Sequence, residues 1–476
     1  MNWGALLIVV VYLAITLFIP MYAGKKNTVT NDDYTVGGRK FGTLFLFFTL
    51  LSTVVGAASV VGYTGWYYVR GMSQLWFILG IALSYCIYIF YLAPRINDFG
   101  FKHGGETVGD WIAYRYGKAS RILTSIIIMI GYLAITAFQY MAMATIFVKI
   151  TGLSFTVSLI ITAIIVILHT SYGGLWAVAS NNVLQGSITL FGLLILATFL
   201  IMHAGGLGAV FASAPAEHFQ AFGYFTPGAA ISSTLVFLLG IISWPDMWQQ
   251  CYAAKDQKTL KKSMVLFLVA LILLCGVIML VIGFTALSLY PNYETPESIL
   301  PFMIMDQFNV VVGALFLSVL LAVILGGADT LLLVSSMILH KDLYNSVRPN
   351  ASEQENLRAS KLSALLCGVV VLVLAIIAPS MFDLWVMSAD LMGATLAVPI
   401  LLGFAWKRPS SVAGFASIIA GLLGWVLAYT GAVPGDGIVL GAGFSLVAYL
   451  IAAFVKPNTK ELPDSNQEST KEAGAI

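Results

Sequence analysis

Leu51-Ser-Thr-Val-Val-Gly-Ala-Ala-Ser-Val-Val-Gly-Tyr-Thr-Gly65 decides the architecture. It lies inside a long apolar run, yet three glycines and several small residues interrupt it, a composition that a continuous helix tolerates poorly. A second interruption, Gly240-Ile-Ile-Ser-Trp-Pro-Asp-Met-Trp-Gln-Gln250, breaks another apolar run with glycine and proline. Around these two, apolar stretches recur at approximately 4–22, 42–69, 74–94, 120–148, 155–172, 179–203, 229–250, 262–288, 308–340, 359–378, 381–405, 411–430 and 436–455. About 20 apolar residues rising 1.5 Å each cross a hydrocarbon layer about 30 Å thick. A closed barrel would instead show alternation over short strands. The sequence therefore predicts an all-α polytopic membrane protein with about thirteen transmembrane helices.

Composition agrees. Of 476 residues, 59% are hydrophobic and only 10% charged, against about a quarter charged in a soluble domain. The first stretch lacks a basic leader and a small-residue cleavage pattern, so it reads as a span and not as a signal peptide. Cys86, Cys251, Cys275 and Cys367 are scattered and give neither a disulfide frame nor a zinc spacing. His103, His169, His203, His218 and His340 show no metal-ligand spacing, and no phosphate-binding glycine loop is present, which weighs against an enzyme and against an ATP-driven pump.

The basic residues orient the chain. With thirteen spans, 22 of the 24 Lys and Arg fall on one side, and only Arg70 and Lys149 on the other. Cytoplasmic loops retain positive charge, so the amino terminus is expected outside and the carboxyl terminus inside. Trp66 to Trp76 reads as an aromatic belt at the outer surface. Residues 456–476 read as a disordered cytoplasmic tail.

The two interruptions stand five spans apart. Inverted-repeat transporters begin each half with a broken helix whose unwound backbone binds ion and substrate near the midplane. This predicts a first repeat over 42–203, a second over 229–405, a peripheral helix and loop over 1–41, and two peripheral helices over 411–455. Glycine that merely permits close helix packing is the plainer reading of any single interruption.

Four further motifs, in order, make the chain resemble the sodium/solute symporter family over nearly its whole length. They are Asp33-Tyr-Thr-Val-Gly-Gly-Arg39, Gly173-Gly-Leu-Trp-Ala-Val-Ala-Ser-Asn-Asn-Val-Leu-Gln185, Trp244-Pro-Asp-Met-Trp-Gln-Gln-Cys-Tyr-Ala-Ala-Lys255 and Pro399-Ile-Leu-Leu-Gly-Phe-Ala-Trp-Lys-Arg408. The resemblance implies a five-plus-five inverted-repeat core, alternating access, and symport of a small organic solute (an amino acid, an amine or a monocarboxylate) with a cation. No other cofactor, no nucleic acid, and a lipid bilayer as surroundings are implied. A monomer suffices, since both halves of the site lie on one chain.

By the resemblance, one sodium site would use backbone carbonyls of Ser52, Val55 and Val323 with two adjacent hydroxyl side chains on the ninth span. In Leu321-Ala-Val-Ile-Leu-Gly-Gly-Ala-Asp-Thr-Leu-Leu-Leu-Val-Ser-Ser336 those positions are Gly326 and Gly327, and both hydroxyls are missing. Relatives with a further sodium site carry an acid where this chain has Asn182, and hydroxyls where it has Asp329 and Thr330. An acid at a helix centre costs about 2.5–3.5 kcal/mol to insert and is a functional candidate by default. Two readings stand open. Sodium occupies a displaced site built from Asp329, Thr330 and Asn182, or Asp329, removed from water, carries a proton. A purely packing role against Asn182 or Ser336 is the plainer alternative.

The substrate candidates implied are Gly56, Ala57 and Ser59 at the first break, Gln139 and Tyr140 on the fourth span, Ile241 and Trp244 at the second break, and Met387 with Asp390 on the eleventh span. Asp390 either pairs with a solute ammonium or sits in water at a helix end. Asp246 is expected at the cytoplasmic end of the seventh span near Lys255, in a structural role. No arginine lies inside a span, which weighs against an acidic solute of the sialic acid kind. A membrane sensor or a passive channel on the same fold are the rival functions. The short polar tail is too small for a signalling domain, and paired broken helices favour alternating access.

Overall fold

The computed structural model describes residues 3–27, 31–171, 174–348, 352–377, 381–406 and 410–456. The expected tail, Gly173 and the Lys407-Arg408 pair fall outside these residues, the tail apart from Lys456. The helices that build the bundle and the site are α1 (Trp3–Asn27), α2 (Thr43–Val54), α3 (Tyr63–Arg70), α4 (Leu75–Ile87), α5 (Ala93–His103), α6 (Val108–Tyr116), α7 (Lys118–Thr151), α8 (Phe155–Ser171) and α9 (Gly174–His203). They continue as α10 (Pro227–Gly240), α11 (Pro245–Ala253), α12 (Gln257–Leu271), α13 (Met279–Leu289), α14 (Val310–Met337), α15 (Glu353–Ile377), α16 (Met381–Ala405), α17 (Ser411–Tyr429) and α18 (Gly437–Val455). Four turns of π-helix, Ala58–Gly62, Tyr88–Leu92, Ile272–Ile278 and Ile338–Tyr344, join or extend them.

Each predicted apolar stretch falls on a helix or on a pair of helices. By length and apolarity nine helices among the described residues can cross a membrane, and a tenth span forms if α10 and α11, bent by 46° at their junction, are taken together. Leu6–Ile19, Thr43–Val54 and Phe155–Thr170 are apolar but shorter. The expected count of thirteen is larger than these criteria reach. The outer surface fits lipid: Phe18, Phe90, Met202 and Phe454 each project with more than 60% exposure, a display that water would penalise.

Helix α14 is the axis of the bundle. Every residue from Leu321 to Ile338 is buried, and α7, α8, α9 and α15 pack around it. A helix apolar on all sides belongs in such a position. Any polar residue on it must find a partner inside the protein, because neither lipid nor water reaches it.

One end of α14 is fastened to the start of α7 by charge. Asp342, in the π-turn after α14, is 2.7 Å from Arg121 Nη2 and accepts from Thr107 and Ser125 at 2.9 Å each. Arg121 also meets Asp110, and Lys341 meets Glu106. Removing one member of a buried pair strands the other and costs about 3–5 kcal/mol. Arg121 keeps about a fifth of its side chain exposed, which places this pair at the lower end. Arg121→Ala should therefore lower the melting temperature in detergent by several degrees. Adding Asp342→Asn to that variant should recover part of the loss, and equal melting of wild type and single variant would show that the pair contributes nothing.

Candidate functional site

The first break follows from backbone hydrogen bonds that leave the helical pattern. Gly56 N–H donates to Val54 O at 3.0 Å, and Ala57 N–H donates to Gln139 Oε1 at 2.8 Å. In an α-helix these two donors would serve the carbonyls of Ser52 and Thr53. The side chain of Gln139, on α7, thus caps the fracture and releases both carbonyls into the seam between α2 and α14. Glycine is needed at 56 because an added Cβ would collide with the Gln139 amide.

The second break is closed differently. Trp244 leaves the helical region at ψ 113°. The carbonyls before it are occupied: Tyr88 hydroxyl donates to Ile241 O and Ile242 O at 3.2 and 2.8 Å, and Trp248 Nε1 donates to Ile242 O at 3.1 Å. One break offers carbonyls and the other does not. Helix α11 then starts at Pro245, as proline favours, and carries Asp246 on its first turn.

Between the breaks lies a small cavity. Gly56, Ser59, Gln139, Ile241 and Trp244 line it, as the substrate reading supposed. Ala57 is buried behind the wall, held by Gln139. Three expected members lie elsewhere. Tyr140 is buried off this wall, its hydroxyl facing Gly368 on α15. Asp390 faces α17, where Trp425 Nε1 donates to its Oδ2 at 3.1 Å beside a separate cavity with Asp436 and Gly437. Met387 is half-buried and not on the wall, whereas Trp385, two residues earlier on the same helix, is. The expectation for Asp246 is also corrected. It is 2% exposed, lines the central cavity, and accepts a hydrogen bond from Tyr132 on α7. The bend at Trp244 brings it there, which a straight seventh span would not do.

The seam between α2, α9 and α14 holds the ion candidates other than Asp329, all buried. Thr53 Oγ1 and Thr330 Oγ1 are 3.2 Å apart, and Asn182 Nδ2 donates to Thr330 Oγ1 at 2.9 Å and to Thr53 Oγ1 at 3.4 Å. Ser52 Oγ donates to Asn182 Oδ1 at 3.3 Å, and Thr330 Oγ1 to Gly326 O at 3.0 Å. Val55 ends α2 and Val323 sits inside α14, both at 0% exposure. Gly326 and Gly327 have a steric role. A Cβ at 326 would collide with Ser52 Oγ and lie 2.8 Å from Gln185 Oε1, and one at 327 would lie 2.7 Å from Gln139 Nε2. The hydroxyl side chains that the resemblance expects have no room while Ser52 and Gln139 hold these positions.

Asp329 is turned out of that seam. Its Oδ2 lies 3.1 Å from His169 Nδ1 on α8 and accepts from Asn181 Nδ2 at 3.4 Å. Acid and imidazole are 1% and 2% exposed. Asp329 Oδ1, Asn181 Oδ1 and the Tyr140 hydroxyl are buried without a hydrogen-bond partner among the described residues. Asn182 and Ser336 bond to other groups, Ser336 to Leu333 O. His169 and Asn181 are the residues that sequence reasoning missed. The available signal was a titratable ring inside the apolar run Phe155–Ser171, opposite an acid in another such run.

The sequence profile described as the sodium:solute symporter family matches residues 34–421. The chain belongs to that family. Among curated relatives, the osmoregulated proline transporter of Bacillus subtilis is 29% identical, with 94% of this chain and 93% of the relative covered. The sodium/pantothenate symporter of Haemophilus influenzae is 25% identical, with 90% of each covered. A solved Na+-coupled sialic acid symporter, in a substrate-bound outward-open state, superposes with a TM-score of 0.85 at 19% identity, over 97% of this chain and 100% of that one; this shows the fold. As a sodium:solute symporter family member, the protein is a multi-pass membrane symporter that couples a small solute to a cation, and not an enzyme.

The glycine seam makes a direct prediction. Gly326→Ala should lower both melting temperature and uptake, because Ser52 Oγ must move, and adding Ser52→Gly should return part of both. A Gly326→Ala variant as stable and active as wild type would show that the seam yields freely.

Proposed function

We propose that this symporter uses the proton as its coupling ion, with Asp329 and His169 as the carrier pair. The observation that carries this is the orientation of Asp329, whose carboxylate pairs with His169 Nδ1 at 3.1 Å between α8, α9 and α14. It is not aimed at the Thr53–Asn182–Thr330 cluster, where an extra sodium ligand would be needed. That cluster is already internally bonded, and Gly326 and Gly327 bring no hydroxyls.

The charge arithmetic fits the task. An ionised Asp329 beside neutral imidazole leaves one negative charge deep in the bundle, an arrangement that the membrane interior disfavours by a few kcal/mol. One proton taken up by the pair cancels it, either on the ring as an ion pair or on the carboxyl. The loaded pair is neutral overall, so protonation removes the charge penalty before the change of access. Asn181 supplies a polar partner, and no lysine or arginine among the described residues pairs with Asp329.

The solute is read as a small organic molecule bound in the cavity between the two breaks. Residues 42–203 and 229–405 form the two repeats that rock against one another, with 1–41 and 411–455 peripheral. The basic-residue asymmetry supports a cell-membrane protein with its amino terminus outside and carboxyl terminus inside. Both halves of the site on one chain support a monomer as the working unit, with no cofactor beyond the coupling ion.

Purified protein in liposomes separates the ions. A proton gradient without sodium should drive accumulation of a labelled solute. Asp329→Asn should reduce that accumulation at least ten-fold while solute exchange under equal conditions on both sides persists, and His169→Asn should also weaken coupling. Accumulation that requires sodium and ignores an imposed proton gradient would overturn the assignment and favour a sodium site at the unpaired oxygens around Asp329.

A further inference from the structure

Asp246 has no part in the coupling pair, and its place calls for a ligand. It stands on the wall of the central cavity, at the mouth of the second break, with Tyr132 donating to one of its oxygens. Among the described residues no lysine, arginine or histidine forms an ion pair with it, and none lines the cavity. Burying a lone carboxylate in an apolar enclosure is costly unless a charge or several hydrogen bonds answer it. One tyrosine hydroxyl and the start of a short helix answer it in part.

The walls around it are aromatic. Tyr63, Trp244 and Trp385 line the same space, and Tyr63 and Trp385 stand edge-on with ring centroids 6.1 Å apart. Aromatic faces attract cations and gain most when water is excluded. The Trp244 indole N–H, on this wall, is buried without an acceptor. Acid, rings and an unused donor in one cavity describe a complementary solute: a positive nitrogen, apolar carbon around it, and an acceptor within reach.

We propose that the solute is a small organic cation, or an amino acid held by its ammonium, with Asp246 as the counter-charge and Trp244 donating to the solute's hydroxyl or carboxylate. This rests on reading the cavity as the solute site; it does not depend on which ion is coupled. Asp390, the other acid once matched to an ammonium, is excluded from this role because Trp425 and a separate cavity hold it.

Matched probes test the charge directly on wild-type protein. Choline is compared with its carbon isostere 3,3-dimethylbutan-1-ol, and L-proline with cyclopentanecarboxylate, by tryptophan fluorescence and calorimetry in detergent. At least one nitrogen-bearing member should bind 30-fold or more tightly than its carbon partner. Asp246→Asn should erase that preference, while Asp329→Asn should keep it. The inference is overturned if neither nitrogen compound binds, if the carbon partners bind as well, or if Asp246→Asn retains the preference. It is also overturned if Asp246→Asn leaves affinity intact but abolishes proton-driven uptake, since the carboxylate would then belong to the proton. Absence of any charge preference in the wild-type protein, with Asp329→Asn still uncoupling uptake, would remove this inference alone and leave the proton assignment standing.

Discussion

A single side-chain amide holds the centre of this protein in its working shape. Gln139 accepts the Ala57 N–H and keeps the first broken helix from closing into a regular turn. In lipid an unpaired backbone group costs several kcal/mol, so a fracture at the midplane exists only where a neighbouring helix supplies the missing partner. The close approach of α7 to both Gly56 and Gly327 follows from that bond, because any larger side chain there would push the amide away. The second fracture obeys the same rule with other donors, Tyr88 and Trp248, that consume its carbonyls. Two breaks of similar origin thereby acquire different chemistry, one exposing carbonyl oxygen and the other presenting a carboxylate.

Helix α14 connects these features. Asp329 faces the imidazole of α8, Thr330 faces the hydroxyl cluster of α2 and α9, and Leu331 lines the central cavity. Successive residues on a helix point about 100° apart, so three consecutive positions reach three separate surroundings. On the proposed reading, the coupling pair and the solute occupy different compartments along this one helix. Coupling between them then passes through the position of that helix, without direct contact between the two cargoes.

Much of this was legible in the sequence, and the exceptions share a cause. Both interruptions were readable because glycine and proline punctuate helices locally. Asp329 stood out because an acid in an apolar run is its own signal. His169 did not, since its importance lies in a partner 160 positions away and a lone ring carries no spacing. Asp246 was placed at the wrong depth because the 46° bend after Ser243 changes where the following turn sits. Asp390 was rightly seen as an acid in an apolar helix, but an apolar run does not say which neighbour a side chain faces, and here that neighbour is α17.

The interior acids have an electrical consequence. Asp246 has no basic partner among the described residues, and Asp329 has only an imidazole. Whenever these acids are ionised, the charge they place beside the route is negative and favours positive cargo over negative. Moving each elementary charge through the membrane potential is worth about 2.3 kcal/mol per 100 mV. If the proposed proton and a cationic solute cross together, the voltage a cell already maintains adds to the proton gradient that drives them.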